Sequence, residues 1–381
     1  DIVIPLTVPA DATGAMPIVN RERLVPDVYA MLAATAGIGN TAITGDKLET
    51  MPTVEGGVAD AEHQYVGPSS AISTNAEGAA GKSSHAAAPF GVASATYTLS
   101  ANLGYDHEAA TGGALPGTLR ASRIAPDALV GPAWPAIYAA LGSVYVDGYP
   151  VIEGLLNAVH LDHLIELEET EDELLKHGGE TIALKAWAED YFESASGRVV
   201  TIHVTHAAAD GTLLARETER FAIRGRVYSD ELPPEAPECG GVFEARAIAD
   251  GSVGTEAHGT SSSASSRGPL ASADDDGRQT TPRRLLRRVR VKAPHDMTAF
   301  ARTSGDFNPI HTSKRGAAIS GLAAPLVHGM WLSATAQHAV QALDDKGAHY
   351  EIVGWTYNMY GMVQLDDQVE ISIERVGKVR H

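Results

Sequence analysis

The chain has 381 residues, enough for two or three domains, and its 44% hydrophobic content can pack their cores. A net charge of −19 excludes non-specific nucleic-acid binding, which needs a basic face. The single cysteine, Cys239, excludes an internal disulfide or a multi-cysteine metal site and fits a reducing cytoplasm; no apolar run reaches the roughly 18 residues of a membrane helix.

Residues 1–120 are rich in Ala, Gly, Ser and Thr and stay unassigned beyond one helix expected over 25–36. Because the chain starts at Asp1 with no signal-peptide pattern, a piece of a longer polypeptide is expected. Gly78-Ala-Ala-Gly-Lys-Ser resembles a phosphate loop, but that motif needs glycine at position 76, where Ala76 stands; a flexible turn is the other reading. His63, His85 and His107 follow no ligand spacing and read as surface histidines.

Residues 121–249 read as one α+β unit. A helix is expected over 132–141, with Trp134, Ile137 and Leu141 on one face, and a second, more apolar helix over 152–165. His160 and His163 would sit one turn apart on it, near Asp162 and Glu153; a metal site is conceivable there, without a third ligand at diagnostic spacing. Strands follow over 181–193, 199–207 and 213–223. Val200, Ile202 and Val204 alternate with Thr201, His203 and Thr205, and Asp210-Gly211 supplies a turn. Residues 250–282, rich in Ser, Gly and Asp, read as a flexible linker.

Residues 283–381 read as a second unit: a strand over 286–292, a helix capped by Asp296, an apolar helix over 330–343, and strands over 350–357 and 363–375 about Leu365-Asp366-Asp367. Arg283, Arg284, Arg287, Arg288, Arg290 and Lys292 form the one basic cluster. They are either a guarded strand edge or a dock for an acidic carrier domain or a phosphopantetheine phosphate. Truncation at His381 or a missing continuation is expected.

The chemistry concentrates in 304–331. Asp306 and His311 flank Asn308-Pro309, and proline breaks any helix there, so both side chains can turn towards one point. Gly329 lies near the start of the apolar helix, where free N–H groups and the positive dipole end can receive an oxyanion. An acid, a base and an oxyanion site are the parts needed to add or remove water beside a thioester carbonyl.

Asp306-Phe-Asn-Pro-Ile-His311, with His328-Gly-Met 22 residues after Asp306, resembles the motif of MaoC-like hydratases and dehydratases. Gly131-Pro-Ala-Trp-Pro-Ala-Ile-Tyr and Pro150-Val-Ile-Glu-Gly-Leu resemble the dehydratase region of actinobacterial and fungal type I fatty acid synthases. The resemblance implies a double hot-dog fold, in which each copy wraps a helix in a curled antiparallel sheet. Pro150 to Leu155 and Pro325 to Met330 also repeat each other, with Gly154 and Gly329 175 residues apart. The first copy holds no Asp-x-Asn-Pro-x-His, so it would shape the acyl tunnel and leave the chemistry to the second.

By the same resemblance His311 takes the α-proton, Asp306 assists departure of the β-hydroxyl and the Gly329 N–H meets the thioester oxygen. Asn308, His328 and Met330 complete the expected substrate-binding set, His328 in a supporting place. The implied reaction is dehydration of a (3R)-hydroxyacyl thioester to the trans-2-enoyl thioester. Neither metal nor redox cofactor is expected, because the substrate rides on phosphopantetheine and the thioester itself acidifies the α-carbon. Expected partners are an acyl carrier protein domain and other synthase domains of a homo-oligomeric multienzyme in the cytoplasm, with no nucleic acid or membrane. A free-standing (R)-specific enoyl-CoA hydratase and a non-catalytic acyl-binding scaffold are the alternatives.

Overall fold

The computed structural model describes residues 6–7, 18–19, 24–40, 49–56, 59–60, 91–112, 124–146, 149–152, 158–194, 197–223, 284–341 and 351–375. The expected linker at 250–282, the loop at Gly78, His63, His85, Cys239 and Arg283 lie outside them.

Helix α3 (Val130–Gly142) lies on one large sheet, α1 (Leu24–Thr35) packs on α3, and α2 (Leu103–Thr111) follows the sheet's second strand. Its strands are β1 (Thr53–Glu55), β2 (Val92–Thr98), β3 (Ala158–Leu167), β4 (Thr181–Ser194), β5 (Gly197–Ala207) and β6 (Leu213–Ile223), joined by β8 (Gly354–Asn358) from the second unit. A short helix α4 (Glu171–Lys176) links β3 to β4. The order is β8-β3-β6-β5-β4-β2-β1, antiparallel throughout. The expected hairpin is β5–β6: Val200, Ile202 and Val204 are buried, and the connection turns at Gly211 with φ +91°. Two strands of this sheet, β1 and β2, come from the stretch that the sequence left unassigned.

Helix α3 packs against β2, β4 and β5, and it is the wrapped helix of the first copy. Nearly all of it is buried, including Trp134, Ile137, Tyr138 and Leu141. Pro135 has no N–H for the Gly131 carbonyl, which leaves that oxygen open to a neighbour.

The expected helix over 152–165 is a strand instead. Residues 158–167 form β3, hydrogen-bonded to β6 on one side and β8 on the other. A short apolar run reads alike as buried helix or buried strand. The histidine spacing misled for a second reason. On a plain strand, residues three apart face opposite ways, but the β3–β6 register shifts between Arg220 and Phe221. That bulge, at Leu161, turns His160 and His163 towards the same carboxylate, Glu219. The repeat between Pro150 and Pro325 therefore does not align two helices: Pro150 ends a two-residue strand, and residues 153–157 lie outside the described set. His107, expected on the surface, is buried beside His338.

The second unit holds β7 (Arg284–Lys292), α5 (Thr298–Ser304), α6 (Pro309–Thr312), α7 (Lys314–Ile319), α8 (Gly329–Gln341), β8 and β9 (Gln368–Arg375). β7 and β9 pair antiparallel, and β8 crosses to the first unit, with Tyr357 opposite His163. The fold is a double hot-dog of α+β class, and one sheet runs across both copies. The basic cluster is largely spent within the fold. Arg288 and Arg290 reach Glu370 on β9, Lys292 reaches Asp366 at 2.6 Å, and Arg287 donates to the Ala339 carbonyl at 2.7 Å.

A buried polar network locks the two units. Asp127, in the turn before α3, accepts from His163 at 2.9 Å, and His163 also meets Glu219 at 3.0 Å. Gln337 on α8 accepts the Asp127 N–H at 3.1 Å and donates back to its carboxylate.

Candidate active site

Helix α5 ends at Gly305, whose φ of +73° closes the helix by an N–H bond to the Ala301 carbonyl at 2.9 Å. The chain then turns sharply. Asp306 Oδ1 accepts the Asn308 N–H at 2.9 Å, and Asn308 Oδ1 accepts the Ile310 N–H at 3.2 Å. Pro309, with no N–H to satisfy, opens the single helical turn α6 that carries His311. The Asn-Pro step thus ends one helical segment and starts another, and it folds Asp306 and His311 back to one place.

Backbone contacts fix both imidazole tautomers. His311 Nδ1 donates to the Leu326 carbonyl at 3.1 Å, so Nε2 carries the lone pair. His328 Nδ1 accepts the Met330 N–H at 3.2 Å, so its Nε2–H donates to Asp306 Oδ2 at 2.5 Å. The two rings lie 4.3 Å apart. His328, expected in a supporting place, is the residue in direct contact with the acid.

Burial, then the neighbouring His328, pulls His311 down to about 3, so it is a neutral base at ordinary pH. Burial pushes Asp306 up, but His328, the nearby His311 and the Asn308 N–H outweigh it and hold the carboxyl below its usual 3.8. Tyr138 of α3 also hydrogen-bonds Asp306. Burial, then the charges of Asp306 and Glu219, raises that phenol well above 10, so it remains a donor. No local pattern in the sequence marked Tyr138; only the packing of one copy against the other brings it here.

These groups line a cavity of about 710 Å³. Asp306, Asn308, His311, His328 and Gly329 stand on one wall; Trp134, Tyr138, His160 and Phe221 of the first unit form another. His328 occupies the N–H groups that follow Gly329. Its Nδ1 takes Met330's, and its carbonyl takes those of Trp331 at 3.0 Å and Leu332 at 3.4 Å. The Gly329 N–H, first of α8, has no acceptor within its own helix and borders the cavity. Met330 is buried behind it and does not line the cavity.

A Cβ on Gly329 would clash with Met359 Sδ, so Gly329→Ala must displace that side chain. Overpacking of this kind costs about 1–3 kcal/mol. That cost falls on stability, so the urea midpoint of the variant is expected to drop. Equilibrium unfolding in urea checks it.

Residues 271–381 match the MaoC like domain, and residues 1–38 match the fatty acid synthase SBS domain. The fold and the site thus define a protein with a MaoC-like domain on a double hot-dog. By these matches the chain is similar to the MaoC-like region of type I fatty acid synthases. It is 39% identical over 89 residues to the fatty acid synthase beta subunit TOXC of Cochliobolus carbonum and 30% identical over 86 residues to fatty acid synthase subunit beta of Saccharomyces cerevisiae. Each match covers 23% of this chain and 4% of the relative. A solved structure, the full-length peroxisomal multifunctional enzyme type 2 from Drosophila melanogaster, aligns at 16% identity over 74% of this chain and 43% of that one, with a TM-score of 0.46. Among the described residues no helix is long and apolar enough to cross a membrane.

Proposed function

We propose that this chain dehydrates a (3R)-3-hydroxyacyl thioester carried on the phosphopantetheine arm of an acyl carrier protein domain, giving the trans-2-enoyl thioester. The observation that carries the reading is a tautomer-locked, neutral His311 lining one cavity with an ionised Asp306 and the first N–H of a buried helix.

His311 Nε2 removes the α-proton, and the enolate oxygen that forms is received by the Gly329 N–H. The C–O bond at the β-carbon then breaks. The departing hydroxide takes the proton from His311, so one H and one OH leave together as water and no net proton is consumed. Asp306 keeps its charge through the cycle and stabilises the transient imidazolium. Its ionised state argues against its acting as the acid, because three donors already hold the carboxylate. Asn308 keeps the bend between the two groups. The thioester supplies the electron sink, so the step calls for no redox cofactor or metal.

Turnover is tested with 3-hydroxyacyl thioesters of pantetheine, coenzyme A and carrier protein, following formation of the conjugated enoyl thioester. Asp306→Asn keeps the shape but not the charge, and it is expected to lower kcat by about 10²–10³. Equal rates for the variant and the parent protein would leave the acyl-binding scaffold as the better reading.

A further inference from the structure

The N-terminal segment supplies no group to the reaction above, yet it lies directly on the catalytic loop. The N–H of Phe307, the residue between Asp306 and Asn308, donates to the Thr35 carbonyl at 2.8 Å. Gly37, at φ +74°, faces the ring of the same phenylalanine. A Cβ there would lie 2.9 Å from both Cδ2 and Cε2 of Phe307 and 3.3 Å from the Gly305 carbonyl oxygen. Gly305 in turn abuts α3: a Cβ on it would come within 3.2 Å of the Gly131 carbonyl, the oxygen that Pro135 leaves open. A Cβ on Gly131 would lie 2.9 Å from the Ser304 carbonyl oxygen. Three glycines therefore bring three backbones into contact, with the loop that carries Asp306 clamped between them.

The segment is anchored firmly enough to act as one side of that clamp. Helix α1 packs against α3. Tyr29 donates from its hydroxyl to the Gly142 carbonyl at 3.1 Å, at the far end of α3, and the buried Leu32 fills the space a Cβ on Gly142 would need. Helix α1 thus runs back along α3 and delivers residues 35–37 to the catalytic loop beside Gly131. Rotating the Phe307 peptide would move both the Asp306 carboxylate and the Asn308 side chain, since they flank it on either side.

We infer that residues 35–37 are a positioning element of the active site. They fix the Phe307 peptide, and through it Asp306 and Asn308, so the site is complete only when the N-terminal segment is docked. Thr35 and Gly37 fall inside the stretch that matches the SBS domain, whereas Asp306 falls inside the MaoC-like match. The site is therefore shared between two regions that family models treat as separate. The kinetic part of this inference rests on the dehydratase reading; the docking part does not.

The chain contains its own control. Gly39 also has positive φ, +84°, but a Cβ there meets nothing within 4 Å. Asparagine tolerates left-handed backbone at both positions, so Gly37→Asn and Gly39→Asn pay similar backbone costs, and only the first displaces Phe307. Hydrogen–deuterium exchange over 305–312, measured on the full chain, is expected to quicken about tenfold in Gly37→Asn and to stay unchanged in Gly39→Asn. On a hydroxyacyl thioester, kcat is expected to fall about a hundredfold in Gly37→Asn, with KM within about twofold, since small misplacements of a catalytic group carry that cost. Adding Phe307→Ala to Gly37→Asn removes the clash and should restore part of both losses. Equal exchange and equal kcat in the two asparagine variants would overturn the inference.

Phe307→Ala alone adds no atom and serves if Gly37→Asn does not fold. Coupled surfaces loosen together, so exchange at residues 37–40 must then rise, and unchanged exchange there also overturns the inference. If the parent protein turns over no hydroxyacyl thioester, the dehydratase reading fails while the exchange data still decide the docking.

Discussion

His311→Ala is expected to lower kcat by about a thousandfold, within the range that a positioned general base contributes. On the proposed mechanism KM should move little, because the variant loses a proton acceptor while the cavity wall of Trp134, Tyr138 and Phe221 is untouched. The pH profile tests the same assignment more sharply. An ordinary histidine base would lose activity as pH falls through 6.5. Here burial and His328 pull His311 down to about 3, and Asp306 sits below 3.8, so both groups hold their working forms throughout the neutral and mildly acidic range. As pH falls, protonation disables His311 only near its lowered value, so kcat/KM should be level from pH 8 to about pH 5. A limb centred near 6.5 would show that His311 is more solvated than its burial beside His328 allows.

The pH argument depends on a loop that was legible in the sequence, while the surroundings that set its charge states were not. Asp306, Asn308, Pro309 and His311 lie within six residues, and each acts on its near neighbours: an Asp bond to the second N–H on, an Asn bond to the second N–H on, a proline opening a turn. Local rules of this kind can be read from a string of residues. Helix α8 was legible too, because it opens on glycine with Met330, Trp331 and Leu332 and carries no charged residue or proline. Tyr138 and Thr35 were not: they reach the site from far away in the chain, and no spacing rule links them to Asp306. Strand β3 failed differently. Its bulge places His160 and His163 on one face, which mimics the three-residue period of a helix, and only pairing with β6 and β8 settles the matter. The expected hairpin from Leu213 succeeded because its alternation is regular and its turn is marked by Asp210-Gly211, with Asp210 accepting the Thr212 N–H at 2.9 Å.

His163→Ala should produce the largest loss of stability, about 3–5 kcal/mol, the cost of removing one partner from a buried ionic group. His163 lies fully buried between Asp127 and Glu219. Burial alone would lower its pKa, but the two carboxylates outweigh that and raise it well above 6.5. Burial likewise opposes the charges of Asp127 and Glu219, and the histidine outweighs it, holding both below their ordinary values of 3.8 and 4.5. The signs define a window. The His163 contribution is full below pH 6.5 and is lost only as pH rises through its raised folded value. The two carboxylate contributions are full above 3.8 and 4.5 and are lost as pH falls through their lowered folded values. All three coincide between about 4.5 and 6.5, where the parent protein should be most resistant to urea. In His163→Ala Asp127 loses its histidine and Glu219 keeps only His160, so the urea midpoint should drop most at neutral pH and recover towards the parent value below about pH 4, as the carboxylates protonate. The damage should also spread across the unit boundary. Gln337 of α8 holds both the N–H and the carboxylate of Asp127, so an Asp127 that swings away from its neighbour loosens the helix whose first N–H is Gly329's. Faster amide exchange along α8, with β4 and β5 unchanged, would separate this route from general unfolding.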